Sequence, residues 1–178
     1  MTTRFTLLIA GTTAALFACK PQVQTGSPTP AGHVVLRNAA GSMVGTLNLA
    51  PSNTGTHITG TLGGLPAGTH GIHLHAVGRC DATDFSTAGG HYNPASMHHG
   101  LENPAGPHAG DLPNINVDAS GNVNVDLTDP RVTLDTSPTT GIFDADGTAI
   151  VVHAGPDDQK SDPSGNSGGR IACGVIQR

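Results

Sequence analysis

The chain has no tryptophan, one tyrosine and four phenylalanines, two of them before residue 18. A core built around aromatic rings is therefore excluded, and burial must come from Val, Ile, Leu and Ala, whose branched members suit a pleated surface better than a helix. Charge is also sparse at 12% of residues, with eight Lys and Arg against thirteen Asp and Glu, a net of -5. That sign is wrong for neutralising many phosphates, so no nucleic acid is expected as partner. Outside the first residues, no window of about twelve keeps an apolar stripe at helical spacing, and helix content should be low. What is abundant is Gly, 25 residues, and Pro, 13, about a fifth of the chain together. They follow no fixed period, which excludes collagen and argues for many turns. The length of 178 residues allows one domain with one core.

Arg4 precedes an apolar run from Phe5 to Phe17, too short and too interrupted by Thr and Gly to span a bilayer. Residues 1–18 read as a cleaved export signal. Leu16-Phe17-Ala18-Cys19 resembles a bacterial lipobox, which would make Cys19 a lipidated N-terminus; a secretory signal with an incidental Cys19 is the alternative. Residues 19–32 then form the lipidated Cys and a flexible Pro-rich tether, and residues 33–178 the folded domain. The expected location is the periplasm or cell envelope, with membrane contact only through the lipid. Three thiols in an exported chain leave one without an intramolecular partner. If Cys19 carries lipid, Cys80 and Cys173 pair; two buried thiols are the alternative.

Eight short β-branched runs follow, at His33–Arg37, Val44–Leu49, Thr56–Leu62, Gly71–His75, Asn114–Val117, Val123–Leu127, Ala149–His153 and Ile171–Ile176. Gly41-Ser42, Asn53-Thr-Gly55, Gly63-Gly64, Ser120-Gly121 and Asp146-Gly147 lie between them as hairpin turns. Strands at this spacing imply a sandwich or barrel. From about Ala76 to Pro113 the strand signals stop. A loop that long in a compact domain is generally functional or disordered, and metal coordination and Cys80 are the visible means of fixing it.

Six of the ten histidines lie between His73 and His108, and all thirteen acids lie at or after Asp81. His73 and His75 are two apart in a run whose Ile72 and Leu74 should face the core, which puts both imidazoles on the outer face, roughly 6.5 to 7 Å apart. His153 ends an apolar run and could join them from a neighbouring strand. The loop supplies His91, His99, His108 and Asp111, three nitrogens and one oxygen suited to a closed tetrahedral zinc site. His33, His57 and His98 read as surface residues, and His70 as a hydrogen-bonder to backbone.

Taken in order, Gly71-Ile-His-Leu-His-Ala-Val-Gly-Arg-Cys80, Gly90-His-Tyr-Asn-Pro94, His99-Gly100, His108-Ala-Gly-Asp-Leu-Pro-Asn114, Val151-Val-His153 with Asp157, and Gly165-Asn-Ser-Gly-Gly-Arg-Ile-Ala-Cys-Gly174 resemble the bacterial exported branch of the copper/zinc superoxide dismutases. The resemblance covers about residues 33–178. It implies an all-β fold, a flattened eight-stranded Greek-key barrel with long metal-binding and active-site loops. It implies one copper held by His73, His75, His91 and His153 and one zinc held by His91, His99, His108 and Asp111, with the His91 ring bridging them. Asp157 would accept hydrogen bonds from ligand imidazoles of both sites, Arg170 would attract and orient superoxide beside the copper, and a Cys80–Cys173 bond would hold that region still. The implied reaction is disproportionation of superoxide to dioxygen and hydrogen peroxide by copper cycling between two oxidation states beside structural zinc. One departure stands out: between Ala154 and Gly169 the only cation is Lys160, against three aspartates, which puts long-range steering in doubt. Family members differ in the barrel surface that pairs, so a homodimer stays open.

Rival patterns are weaker. Gly165-Asn-Ser-Gly-Gly169 has the hydrolase G-x-S-x-G form but runs into a strand rather than a helix. Asp144-Ala-Asp-Gly147 has part of a calcium loop without the remaining ligands. The serious alternative is a non-catalytic, zinc-only or copper-sequestering exported lipoprotein on the same barrel.

Overall fold

Alternation along the chain decides which side of each strand is buried. In a computed structural model describing residues 1–2 and 31–178, β1 (Gly32–Asn38) buries Val34 and Leu36 and turns His33, Val35 and Arg37 outward. The remaining signal, Cys19 and the tether as far as residue 30 lie outside the described residues. β2 (Met43–Ser52) and β3 (Gly55–Leu62) repeat the pattern, pairing antiparallel so that Leu49 faces Ile58. The outward positions Thr46, Asn48, Thr59 and Thr61 are small and polar, which leaves one wet and one dry face.

All eight expected runs contain strands, and a ninth strand that the sequence reading did not expect joins them. The additional strand, β4 (Gly68–His70), precedes the Gly71 run, which forms β5 (Ile72–His75); β6 (Ile115–Val117), β7 (Val123–Asp129), β8 (Ala149–His153) and β9 (Arg170–Gln177) complete the set. A seven-stranded sheet runs β5-β8-β9-β1-β2-β3-β7, and β4 pairs with β6 separately. Only Gly71 separates β4 from β5, and a tight turn at Asp118–Asn122 joins β6 to β7, so the chain itself closes the ring. The connection from β3 to β4 passes over β7 and β6, and the one from β7 to β8 returns, which is the Greek-key order. Gly41 and Asn53–Gly55 do turn hairpins; Ser120–Gly121 turns the chain from β6 to β7, which lie in different sheets, and Gly63–Gly64 and Asp146–Gly147 lie in these crossing connections.

The core is aliphatic as composition requires, centred on Leu36, Leu47, Leu49, Ile58, Leu62, Ile72, Leu74 and Ile150, all fully buried. Two buried aromatics nevertheless contribute: Tyr92 joins the main core and donates its hydroxyl to Gly141 O at 2.9 Å, and Phe85 sits in a smaller cluster with Ala149 and Val151. Both come from the long segment after β5, where only a single 3-10 turn at Ser86–Ala88 forms.

Cys80 and Cys173 are bonded, with Cα atoms 5.7 Å apart and a separation of 93 positions in sequence. The bond ties the start of that segment to β9. A Cys80→Ser/Cys173→Ser variant is expected to lose about 4 to 5 kcal/mol of stability on the chain-entropy account, read as a lower denaturant midpoint; an unchanged midpoint would refute it.

Candidate metal centre

β5 aims Ile72 and Leu74 into the core and His73 and His75 out of it, as period two demands. The outward face is nevertheless closed over: His73 is 0% exposed and His75 1%. The covering layer is the segment after β5, which runs back along this sheet edge. Tyr92 N–H donates to Leu74 O at 2.8 Å and Leu74 N–H to Gly110 O at 2.9 Å, with isolated bridges at His75–His91 and His73–Asp111. Only glycine fits at 110, because a Cβ there would stand 2.3 Å from Leu74 O.

Two donor sets result, His73, His75, His91 and His153 in one, and His91, His99, His108 and Asp111 in the other. Within each, the ligand atoms all lie within 4.8 Å of one another. His91 belongs to both. Its Nδ1 lies 2.9 Å from Asp111 Oδ1, while its Nε2 is buried without a partner.

The first set fits a cation on its own chemistry. His75 donates Nδ1–H to Gly89 O at 2.9 Å and His153 donates Nδ1–H to Gly168 O at 3.2 Å. Their Nε2 atoms therefore carry lone pairs, and these face each other 3.4 Å apart. The His73 Nδ1 is likewise buried and unpartnered. Buried lone pairs aimed at a common point cost free energy unless something positive accepts them. Burial, together with neighbouring imidazoles, lowers His91 to about 4 and His153 to about 3, and His75 lies well below its usual value, so these nitrogens stay free to ligate.

The second set is organised by one carboxylate. Asp111 Oδ1 lies 2.9, 3.0 and 3.3 Å from the Nδ1 atoms of His91, His99 and His108. Its Oδ2 accepts the N–H groups of Gly100 and His108 at 2.8 and 2.9 Å. Burial pushes the Asp111 carboxyl up, but these hydrogen bonds more than reverse it and hold it far below the carboxylate range. Three imidazoles and a carboxylate, closed off from solvent, are what a tetrahedral zinc site requires.

Asp157 joins the two sets from outside. Its Oδ2 accepts from His73 Nε2 at 2.6 Å and its Oδ1 from His99 Nε2 at 3.0 Å, the nitrogens that face away from the donor clusters. Burial opposes the charge on His99, yet Asp111 and Asp157 together raise it to about 9. Gly165 is needed here, since a Cβ at its φ of +61° would come 1.8 Å from Asp157 Oδ1. The motifs do not assign a role to Asn114, whose side chain exchanges two hydrogen bonds with the Asp157 backbone, at 2.8 and 2.9 Å. Its only sequence signal is its place at the end of the His108 motif.

Arg170 opens β9 and donates Nη1 to Phe85 O and Nη2 to Gly89 O, both at 2.6 Å. It stands in a cleft of about 430 Å³ with His75, His91, His153 and Ser164. Every expected ligand, Asp157 and Arg170 are thus brought together. The residues read as bystanders stay out: His33 is half-buried on the outer side of β1, His57 pairs with Asp126 at 2.7 Å, and His98 pairs with Asp162 at the surface. His70 does face backbone, its ring nitrogens 2.8 Å from His153 O and 2.9 Å from Pro66 O.

Residues 43–176 match the family described as Copper/zinc superoxide dismutase (SODC). The chain belongs to the copper/zinc superoxide dismutase family. It is 47% identical over 146 residues to Superoxide dismutase [Cu-Zn] 1 of Aquifex aeolicus, covering 82% of this chain and 86% of the relative. Among solved structures, a SOD-like protein from Bacillus subtilis superposes with TM-score 0.77 at 41% identity, covering 80% of this chain and 96% of that one. The Cu/Zn superoxide dismutase from Brucella abortus gives 0.65 at 29%, covering 82% and 98%. As a member of this family the protein is an oxidoreductase acting on superoxide with one copper and one zinc.

The shifts predict a stability maximum for the metal-free protein. His99, raised above its unfolded value of 6.5, adds stability as pH falls from about 9 to 6.5. His91 and His153, depressed below the same value, remove it as pH falls from 6.5 towards 4, since the unfolded chain then binds more protons. Asp129, raised from 3.8 to about 6, offsets part of that lower limb. Urea midpoints measured across this range should peak near pH 6.5; a steady rise up to pH 9 would contradict the His99 assignment.

Proposed function

We infer that this chain disproportionates superoxide in the cleft beside Arg170, with copper held by His73, His75, His91 and His153 and zinc held by His91, His99, His108 and Asp111. The observation that carries the reading is the His91 ring, which gives one nitrogen to each donor set. Bound copper would supply the one-electron exchange and bound zinc a fixed positive charge without redox change. The chain's own groups do the rest. Two superoxide anions and two protons become one dioxygen and one hydrogen peroxide, so protons must be delivered where electrons arrive. His91 Nε2 is the nitrogen suited to hold a proton and release it to the second superoxide. Asp157 fixes the planes of His73 and His99 by taking their outer N–H groups.

Arg170 supplies the local positive charge that draws and orients a small anion. The rest of the surface contributes little attraction: Lys160 is tied to Glu102 at 2.8 Å, and residues 31–178 carry six basic side chains against thirteen acidic ones. Steering is therefore short-ranged, and the rate should vary only weakly with ionic strength.

The non-catalytic alternative is not favoured, since all four donors of the first set converge. The donor sets are complete within one chain, so the proposal does not need a homodimer. It does extend to location. With Cys80 and Cys173 bonded, Cys19 is left over, which supports an exported protein whose signal ends at residue 18 and whose lipidated Cys19 and tether to residue 32 hold the domain at the cell envelope.

Protein loaded with copper and zinc should be active, lose activity when copper is stripped and regain it on reconstitution; zinc-only protein should be inactive. Activity in the zinc-only form would overturn the reading. Arg170→Ile should retain both metals by elemental analysis yet react several-fold more slowly at low salt. Unchanged kinetics there would remove Arg170 from the mechanism.

A further inference from the structure

A buried acid at the far end of β7 has no part in the chemistry above. Asp129 is 0% exposed, and only its Oδ1 is engaged, by Arg131 N–H at 3.0 Å and Arg131 Nη2 at 3.0 Å. Its Oδ2 is buried with no partner, and burial pushes the carboxyl up to about 6. A largely buried ion pair left half satisfied is weak evidence of a contribution to stability, since apolar residues of the same volume often serve as well. The question is then what the pair holds in place.

The guanidinium shows what that is. Arg131 Nη2 also donates to Asp111 O, and Nε reaches Ala109 O at 3.5 Å. Both carbonyls belong to the turn His108–Asp111, which carries two of the donors in the second set. On its other side that turn is clasped to β5, through Gly110 O with Leu74 N–H, and Gly110 N–H donates to Tyr92 O at 2.8 Å. Arg131 itself cannot drift. Only Pro130 separates it from the end of β7, and the carbonyl of the next residue, fully buried Val132, accepts the Thr56 hydroxyl from β3 at 2.9 Å. The turn is thus gripped between β5 and a strut rooted in the β3–β7 end of the barrel.

We propose that Arg131, held by Asp129, is a positioning residue for the zinc half of the site, setting where the turn His108–Asp111 presents its imidazole and carboxylate. This rests on the zinc assignment made above. Three of the four donors of the first set sit on strands β5 and β8, which Arg131 does not touch, and His91 is anchored separately by Ala76 N–H to Gly90 O and Tyr92 N–H to Leu74 O. Loss of the strut should therefore act on zinc and spare copper.

The test uses the full chain and its Arg131→Met variant, with zinc and copper affinities measured by chelator competition and Co(II) placed in the zinc site as a spectroscopic probe. The expected result is zinc binding weakened by about 10- to 100-fold, in the range for groups that orient metal ligands, with altered Co(II) ligand-field bands and copper affinity nearly unchanged. Arg131→Lys should restore part of the loss. Equal zinc affinity in variant and parent, or a parallel fall in zinc and copper affinity that follows a lower melting temperature of the metal-free protein, would overturn the proposal. Failure of the parent chain to take up zinc at these donors would overturn the zinc assignment itself, a distinct outcome. If Arg131→Met does not fold, Arg131→Lys and Asp129→Asn carry the same comparison.

Discussion

The centre depends on an imidazole that cannot anchor itself. A histidine that keeps one nitrogen for a ligand normally uses the other N–H to fix its plane, as His75 and His153 do against backbone carbonyls. His91 has no such spare group, because its two nitrogens face two different donor sets. Its orientation must come from packing. It stacks on His73 with centroids 4.0 Å apart and 29° between planes, and meets His108 edge-on at 5.4 Å. The backbone on either side is bonded to the chain at β5. A segment poor in regular structure therefore has to be as rigid as a strand, and the fold supplies that rigidity through hydrogen bonds to a sheet edge, a disulfide and buried carboxylates.

Those carboxylates explain how a chain so poor in cations keeps acids in its interior. Asp111 and Asp157 each accept hydrogen bonds from imidazoles and from backbone N–H groups, which hold both ionised despite burial. Each also links segments distant in sequence: Asp157 spans His73 on β5 and His99 in the loop, and Asn114 fastens its backbone. The acids are thus structural supports of the donors before they take any part in chemistry. The cleft side is different, since there the guanidinium of Arg170 is left as the local cation by a surface that is otherwise acidic.

The strands were legible because alternation of apolar and polar residues is local. The short strand β4 was not, since Gly68–His70 has no apolar alternation of its own and is a strand only because it pairs with β6, while β5 beyond Gly71 pairs with β8. Tyr92 and Phe85 in the core escaped notice for the same kind of reason: they lie in a segment whose composition reads as loop, and only its packing against the barrel buries them.

Among the site residues, the spacing of His73 with His75 and of His108 with Asp111 marked donors within one run, because a strand or a turn sets the distance between near neighbours. Which runs converge could be read only through resemblance to known proteins. The supports were hidden further still. Asn114 carries no unusual chemistry, Gly165 is needed only because a carboxylate 8 residues earlier occupies the space of its Cβ, and Asp129 with Arg131 looks like an ordinary surface pair in sequence. The amino-acid order determined strand faces, turn positions and the supply of ligands, since these depend on period and residue type. The closed folding of β5, the long loop and β9 onto one another decided which nitrogens share a centre and what holds them there, since those contacts join residues as much as 93 positions apart.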